Sequence, residues 1–319
     1  MRAVLIVNPN ATSTTRAGRD LLAHALESRV ELVVAHTEHR GHAVEIAETA
    51  KRDGIDVIII HGGDGTVNEV VNGLLGKPSA PKPAERVPAI AVVPGGSANV
   101  FARSLGISPD PIEATNQLVD LLGEYRGGGD WRRIGLMDCG ERWAVFTAGM
   151  GVDGDVVAAV EAQRAEGHTV TAGRYMRVAL REMLASVRRD PQITVHLPDR
   201  EPIPGALFAF VSNASPWTYV NTRPVWTNRD TSFDTGLGVF ATTTTSFLAN
   251  LMLLRRMLSK KAEIKGRHLI SEDDVDWVRL TSEQPIACQV DGDFLGRRTE
   301  MTFRSVPAAL AVVAPTLKT

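Results

Sequence analysis

The chain has 319 residues, enough for two domains of about 100 to 200 residues that each bury a hydrophobic core. Its 35 Lys and Arg nearly balance 37 Asp and Glu, for a net charge of -2, which excludes a basic field over the whole molecule for binding nucleic acid. The apolar fraction of 44% excludes a disordered chain. Two cysteines, Cys139 and Cys288, form no disulfide framework and fit the reducing cytoplasm.

The first nine residues contain too short an apolar run for a signal peptide and predict a first β-strand. No apolar stretch reaches the roughly 18 uninterrupted residues of a membrane-spanning helix. The densest one, residues 247–258, contains Arg255 and Arg256. We therefore expect a cytoplasmic protein that associates with a membrane only transiently, at its surface.

The first third of the chain alternates short apolar runs with helix-period segments, which predicts a βαβαβ order and a parallel, helix-covered sheet. The predicted strands are residues 4–7, 30–35, 57–60 and 89–93, and the predicted helices are residues 16–28, 42–52 and 66–75. A further helix is predicted to end near Arg103.

Three consecutive glycines, residues 127–129, predict a hinge. We therefore expect an α/β nucleotide-binding domain over residues 1–128 and a β-rich domain over residues 129–319, with about the last 15 residues free to return to the first domain. The second domain is predicted to hold a long helix over residues 172–189. Its predicted strands are residues 143–147, 193–197, 207–211, 237–241, 276–280, 286–290 and 299–303.

The first candidate site is the loop Gly62-Gly63-Asp64-Gly65-Thr66, where a strand ends and a helix begins. Glycines let the backbone approach a ligand closely, and the N-terminus of the following helix offers N–H groups to a phosphate. Asp64 would repel a phosphate unless a cation lay between them, which suggests Mg²⁺. An aspartate that caps the helix in a glycine turn explains the same residues, and both interpretations stay open.

A second loop, Pro94-Gly95-Gly96-Ser97-Ala98-Asn99, repeats the order strand, glycine turn, hydroxyl and helix. In a parallel sheet both loops open at the carboxyl edge, where ligands bind, so together they could enclose one nucleotide. Neither loop has the spacing of a P-loop or of the dinucleotide-binding fingerprint.

Three segments resemble the signatures of the diacylglycerol kinase catalytic-domain family, which includes bacterial soluble lipid kinases, sphingosine kinases and ceramide kinases. They are Asn8-Pro9, residues 62–74 (GGDGTVNEVVNGL) and residues 94–107 (PGGSANVFARSLGI). Gly151-Val152-Asp153 and Asp291-Gly292-Asp293 fall where later motifs of that family are expected.

This resemblance implies an α/β nucleotide domain followed by a β-sandwich-like domain, with the active site in the cleft between them. It implies a kinase that uses ATP and Mg²⁺ to phosphorylate a lipid hydroxyl, with diacylglycerol, converted to phosphatidic acid, as the leading acceptor. A sphingoid base, ceramide or phosphatidylglycerol is the alternative acceptor, and an NAD kinase or a non-catalytic lipid-binding module is a more distant one. The implied partner is a lipid at a membrane surface rather than a nucleic acid, and a homodimer is the oligomer we consider.

The resemblance also assigns roles to single residues. Asp291 would activate the acceptor hydroxyl with Asp293 as its companion, and Asp64 would lie near the metal-bound phosphates. The implied nucleotide-binding residues are Asn8, Pro9, Asn10, Ala11, Thr12, Thr37, Gly62, Gly63, Asp64, Gly65, Thr66, Val67, Asn68, Glu69, Gly95, Gly96, Ser97 and Asn99.

Two of these motifs have plainer explanations. Asp291-Gly292-Asp293 also suits a hairpin turn, and the family commonly has Glu where this chain has Asp293. Asp234 is the one acidic residue left in a segment that binds a structural Mg²⁺ in some bacterial members, and a plain turn explains it as well.

Residues 248–268 combine apolar positions at helical spacing with six basic residues against Glu263, a local net charge of +5. We consider two interpretations: a surface that meets anionic lipid, and a core helix whose basic end complements its dipole.

Overall fold

The computed structural model describes residues 1–9, 11, 16–79, 86–125, 131–165, 178, 181, 192–220, 223–259 and 266–316. The chain forms two compact units. Unit 1 comprises Met1–Leu136, Gly140–Val145 and Pro307–Thr319, and unit 2 comprises Met137–Cys139 and Phe146–Val306. The three glycines at 127–129 lie outside the described residues, as does the helix predicted over 172–189 except for Val178 and Arg181, which are helical.

Unit 1 is built on a parallel sheet in the order β2-β1-β3-β4. These strands are β1 (Arg2–Val7), β2 (Glu31–His36), β3 (Val57–Gly62) and β4 (Ala89–Pro94). Every residue of β3 and β4 is buried, as expected of continuous apolar strands inside a parallel sheet, whereas β2 forms an exposed edge. The last strand of the chain pairs with β4 in parallel through Val312 and Ile90.

Five helices of unit 1 follow these strands: α1 (Arg16–Glu27), α2 (His42–Arg52), α3 (Asp64–Leu75), α4 (Val100–Ser104) and α5 (Pro111–Glu124). Helix α5 has a clear start, because the Asp110 carboxylate accepts hydrogen bonds from the N–H groups of Ile112 and Glu113 and Pro111 occupies the first turn. Since β1, β3 and β4 run in parallel, the loops that follow them open at one edge of the sheet.

Unit 2 is rich in antiparallel strands. Two strands precede them in the chain, β5 (Arg132–Asp138) and β6 (Trp143–Ala144). The others are β7 (Thr147–Met150), β8 (Ile193–His196), β9 (Ile203–Ala206), β10 (Phe208–Ser212), β11 (Thr218–Val220), β12 (Arg223–Val225), β13 (Leu237–Thr242), β14 (Leu269–Val275), β15 (Trp277–Val290) and β16 (Asp293–Val312). The main sheet of unit 2 has the strand order β14-β13-β10-β7-β15-β16. Strand β8 pairs with the first half of β15, at residues 279–282.

Among the described residues, the helices α6 (Val152–Ala165) and α7 (Phe247–Met257) accompany these strands, in addition to the helical residues Val178 and Arg181. A cluster of buried side chains from α6, α7 and the neighbouring strands forms a core of unit 2, with Phe208, Phe210 and Phe240 stacked at its centre. The predicted fold class, an α/β unit with a parallel sheet followed by a strand-rich one, is confirmed. Within the described ranges, no helix has the length and apolarity needed to cross a bilayer.

Candidate functional site

The predicted nucleotide-binding loops of unit 1 follow the carboxyl ends of β1, β2, β3 and β4. Asn8 follows β1, and its N–H donates to His61 O at 3.1 Å, which links the ends of β1 and β3. Thr37 follows β2, is buried, and donates its N–H to Val7 O at 2.9 Å. These strand ends are where a doubly wound sheet binds ligands.

The two glycine loops contact each other through their backbones. The N–H of Gly95 donates to Gly62 O at 2.8 Å. A Cβ atom added to Gly96 would lie 2.7 Å from Gly63 Cα, and one added to Gly63 would lie 3.2 Å from Gly96 Cα. Glycine is therefore required at 96 and favoured at 63, because any side chain would push the loops apart.

Asp64 joins the loops a second time. Its two carboxylate oxygens accept hydrogen bonds from the N–H groups of Val100 and Phe101, each at 3.0 Å, at the start of α4. Burial raises the pKa of Asp64, while these N–H groups and Arg103 oppose that rise. The side chain thus acts as a clasp between the two loops, and its predicted position near metal-bound phosphates stays a prediction.

The second loop is shaped by Asn99, which adopts the left-handed conformation with φ 50°. Its Oδ1 accepts from Gly96 N–H at 2.9 Å and its Nδ2 donates to Gly96 O at 2.7 Å. Asn99 is buried by these contacts, whereas Ser97, at the tip of the loop, is exposed. The exposed Ser97 hydroxyl therefore lies on a loop whose closed conformation is held by the side chain of Asn99.

These residues fit a phosphate-bearing nucleotide. No side chain caps the N-terminus of α3, because its N-cap residue is Gly63. The free N–H groups of a helix start attract phosphate, and the Asp64 carboxylate that would oppose a phosphate is turned towards α4. With the exposed Ser97 hydroxyl, this edge provides neutral donors suited to ATP phosphates, and Asp64 is the carboxylate beside them that could ligate Mg²⁺.

The side chains of three other predicted nucleotide ligands contact the protein itself, and their role towards a nucleotide stays a prediction. Val67 is 1% exposed and belongs to the core. Asn68 donates to Trp143 O at 3.2 Å, and Glu69 accepts from the N–H groups of Gly41 and Ala43 at the start of α2. The side chains of these three residues thus support the fold of unit 1.

The remaining predicted ligands are placed as follows. Thr66 is buried, and its hydroxyl lies 3.4 Å from Asn8 Nδ2. Gly65 is exposed on the first turn of α3 and Pro9 is exposed after β1. The N–H of Ala11 donates to Asn8 O at 3.1 Å. Asn10 and Thr12 lie outside the described residues.

In unit 2, Asp291 occupies the two-residue turn between β15 and β16. Asp291 and Gly292 both have positive φ, 49° and 82°, as the hairpin turn favoured by Asp-Gly requires. Asp291 Oδ1 accepts from the N–H groups of Phe146 at 3.0 Å and Thr147 at 2.9 Å, and the residue is 7% exposed. The turn and the functional interpretation are thus compatible, because the turn itself positions this carboxylate.

A buried polar pair, Asp153 and Gln289, lies next to this turn. Gln289 Nε2 donates to the Asp153 carboxylate, and Gln289 Oε1 accepts from Gly292 N–H at 2.9 Å. Burial raises the pKa of Asp153 to about 7, and the hydrogen bond from Gln289 only partly offsets it. The sequence analysis did not single out Gln289; its one signal is its position two residues before the Asp-Gly turn.

Thr147 and Trp217 extend the buried polar surroundings of Asp291, and sequence reasoning also missed them. The Thr147 hydroxyl accepts from Trp217 Nε1 at 3.0 Å, and the backbone N–H of Thr147 donates to Asp291 Oδ1. Ser212, which pairs with Thr147 across β7 and β10, is fully buried, and its hydroxyl has no hydrogen-bond partner among the described residues. Such a buried hydroxyl is available to a polar ligand.

The two remaining acidic candidates differ in exposure. Asp293 opens β16 opposite Val290 and is half-buried. Asp234 is exposed in a turn where its own N–H donates to Ser232 Oγ at 3.2 Å. Where side chains are described, neither belongs to a trio of His, Cys, Asp or Glu arranged to hold a metal ion. A structural Mg²⁺ at Asp234 gains no support from these contacts.

Residues 2–124 match the family model described as the diacylglycerol kinase catalytic domain. The diacylglycerol kinases of Staphylococcus aureus strains JH9 and Newman are 36% identical to this chain over 121 residues, which are 37% of this chain and 36% of theirs. The matched segment thus spans about a third of the length of these relatives. The resemblance in the glycine-loop motifs is confirmed for the segment that contains them.

The fold is also similar to that of a solved structure along nearly the whole chain. The crystal structure of a diacylglycerol kinase from Bacillus anthracis str. Sterne superposes with a TM-score of 0.72 and 18% sequence identity, covering 98% of this chain and 97% of that one. This likeness shows a shared fold.

Proposed function

We propose that the protein is a lipid kinase that transfers a phosphoryl group from ATP, with Mg²⁺, to a lipid hydroxyl at a membrane surface. Diacylglycerol, converted to phosphatidic acid, is the leading acceptor. The observation that carries the proposal is that the matched catalytic-domain segment, residues 2–124, contains two glycine loops in direct backbone contact. The names of the S. aureus relatives support the choice of diacylglycerol.

Each unit supplies one part of the reaction. In unit 1, the N–H groups at the start of α3 and the Ser97 hydroxyl bind the ATP phosphates, and Asp64 keeps the two loops together. When bound, ATP provides the γ-phosphoryl group and Mg²⁺ neutralises its charge. In unit 2, the Asp291 carboxylate accepts the proton of the lipid hydroxyl as the hydroxyl oxygen bonds to phosphorus and ADP leaves.

The test is a phosphoryl-transfer assay with radiolabelled ATP and purified protein. Diacylglycerol, sphingosine, ceramide and phosphatidylglycerol are offered in detergent micelles, and NAD in solution. We expect Mg²⁺-dependent labelling of diacylglycerol. Labelling of another lipid instead would change the proposed acceptor but not the proposed reaction. Labelling of NAD alone would identify an NAD kinase, and no labelling of any acceptor would refute the proposal.

A matched variant tests the nucleotide part separately. Because Ser97 is exposed, Ser97→Ala leaves the fold unchanged and removes one charge-assisted hydrogen bond to phosphate. Such a bond contributes about 1.5 kcal/mol or more, so we expect the KM for ATP to rise about ten-fold without a change in acceptor preference.

A further inference from the structure

Helix α7 carries apolar side chains on two opposite sides. On the inner side Asn250 and Met257 are buried, and Leu253 packs against the aromatic core of unit 2. On the outer side the exposed fractions are 67% for Leu248, 38% for Leu251, 57% for Met252 and, just after the helix, 40% for Leu258. Leu251 and Met252 follow Leu248 by three and four positions and Leu258 follows Leu251 by seven, so the four residues lie on one side of the helix and form the outer stripe.

The outer stripe is unusual for this molecule. Nine large hydrophobic side chains are exposed among the described residues, and four of them belong to the outer stripe. Of the other five, Val33 and Val34 are neighbours on the edge strand β2 and the rest are single, and no other described helix has more than one of them. Single exposed apolar residues need no explanation, but an apolar row on one helix marks a surface that binds something apolar.

The basic residues of the same sequence segment indicate what the outer stripe binds. Arg255 and Arg256 are exposed in the last turn of α7. Residues 248–268 carry a net charge of +5 in a chain whose total is -2. Arg255 lies within the row, three positions from both Met252 and Leu258, and Arg256 lies beside it. An apolar row with basic side chains at its C-terminal end complements an anionic lipid surface, whereas a second copy of the chain would bring the same positive charge against it.

The inner side of α7 connects to the reactive turn through contacts within unit 2. Met257 O accepts from Trp226 N–H at 2.8 Å, and Met257 lies in the same core as Phe210. The ring of Phe210 stacks on Trp217 at 4.7 Å, and Trp217 donates to the Thr147 hydroxyl. Since Thr147 N–H donates to Asp291, one packed body joins the helix to the Asp291 turn.

We propose that α7 docks the protein on an anionic lipid bilayer, with the outer stripe inserted among the acyl chains and Arg255 and Arg256 against the headgroups. The inference rests on the proposed lipid-kinase function, because an acceptor that resides in a bilayer requires a docking surface. Docking through α7 would hold the body that carries Asp291 at the lipid surface.

The experiment is co-sedimentation of the full chain with vesicles of phosphatidylcholine alone, or with about 30 mol % phosphatidylglycerol, which supplies the anionic surface that basic side chains seek. We expect Leu248→Gln/Met252→Gln to lower the partition coefficient on anionic vesicles about ten-fold or more, and Arg255→Glu to lower it on anionic vesicles but not on neutral ones. The matched control is Leu21→Gln/Ile112→Gln, which replaces two side chains that are 60% and 64% exposed on other helices and should bind like wild type.

Equal vesicle binding by the outer-stripe variant and the control would overturn the inference. The inference would also be overturned if the wild-type protein did not bind vesicles but formed a dimer, and Leu248→Gln/Met252→Gln converted that dimer to a monomer. The outer stripe would then be a subunit interface. Should the double variant unfold on heating earlier than wild type, Met252→Gln alone carries the same test. Activity on detergent-dispersed acceptors is measured in parallel: its absence in wild type would refute the kinase proposal, whereas the vesicle result alone decides the role of α7.

Discussion

Both units contain an Asp-Gly pair whose aspartate accepts two consecutive backbone N–H groups, yet the carboxylates are used differently. Asp64 accepts from Val100 and Phe101 with one oxygen each. Asp291 accepts from Phe146 and Thr147 with the same oxygen, Oδ1. Each oxygen of Asp64 therefore holds one N–H group of the second loop, whereas a single oxygen of Asp291 accepts two N–H groups. The comparison indicates a clasp in unit 1, and in unit 2 the reactive role proposed for Asp291 is compatible with its contacts.

The largest expected effect tests the reactive half of this comparison. Asn at position 291 keeps one oxygen that can accept both N–H bonds, so Asp291→Asn should fold like wild type. It cannot take a proton from an acceptor hydroxyl, and loss of a general base costs about 10² to 10⁴ in rate. We expect kcat to fall by that factor with KM for ATP unchanged, and the thermal midpoint to stay within error.

Asp293→Asn is the matched variant at the same turn. Because Asp293 lies one residue beyond Gly292 and is only half-buried, its loss should cost less in kcat. A larger loss from Asp293→Asn than from Asp291→Asn would reverse the two roles.

The second prediction tests the clasp. Asn at position 64 has one side-chain oxygen for two N–H groups. Its NH₂ group would therefore face the N–H of Val100 or Phe101, which would lose its acceptor. We expect Asp64→Asn to lower the free energy of unfolding by about 1 to 3 kcal/mol, the cost of an unsatisfied donor, and to reduce activity at least in part by loosening the loops. Urea denaturation measures the first effect.

Asp110→Asn is the control, because Asp110 caps α5 with a single oxygen, Oδ1, and Asn caps equally well. If Asp64→Asn proves as stable as wild type but loses activity together with its Mg²⁺ dependence, Asp64 is a metal ligand rather than a clasp.

Local patterns predicted much of unit 1 but not these long-range roles. Helix α2 has the predicted bounds, His42–Arg52, because its apolar spacing is regular and tertiary contacts do not alter it. Helix α5 was missed although Asp110-Pro111 is a strong helix start. The partners of Asp64 lie 36 and 37 residues away, and no periodicity in the sequence connects them.

The strand boundaries in unit 2 were harder to predict, because pairing between distant segments determines them. The predicted strands 276–280 and 286–290 are the two ends of one strand, β15, whose pairing shifts register between Thr281 and Ile286. Residues 283–285 within it are exposed and include Pro285, so the alternation of apolar and polar residues is interrupted although the chain stays extended. The predicted strand 143–147 is divided into β6 and β7, which belong to different units.

The third prediction separates loop contact from helix stability. Gly96→Ala places a Cβ 2.7 Å from Gly63 Cα, so the two loops must move apart. Overpacking of this kind costs about 1 to 3 kcal/mol, and we expect that loss in thermal or urea denaturation together with weaker ATP binding. Gly65→Ala is the control for stability, because nothing lies within 4 Å of its added Cβ and Ala favours helix by about 1 kcal/mol. Equal stability of the two variants would contradict the close contact of the loops.

The last prediction concerns the acid beside the Asp291 turn. The pKa of Asp153 is about 7 in the folded protein, above the ordinary value of 3.8, so the folded state holds more protons than the unfolded state between these values. Stability from this group is therefore complete below about pH 4 and falls as the pH rises to 7, at up to about 1.4 kcal/mol per pH unit. Asn mimics the protonated acid and can still accept from Gln289, so the thermal midpoint of Asp153→Asn minus that of wild type should grow between pH 4.5 and pH 7.5. Asp155→Asn, which removes the ion pair with Arg297 at 3.1 Å, should show no such gain, and a flat difference for Asp153→Asn would mean that the buried acid is ionised throughout this range.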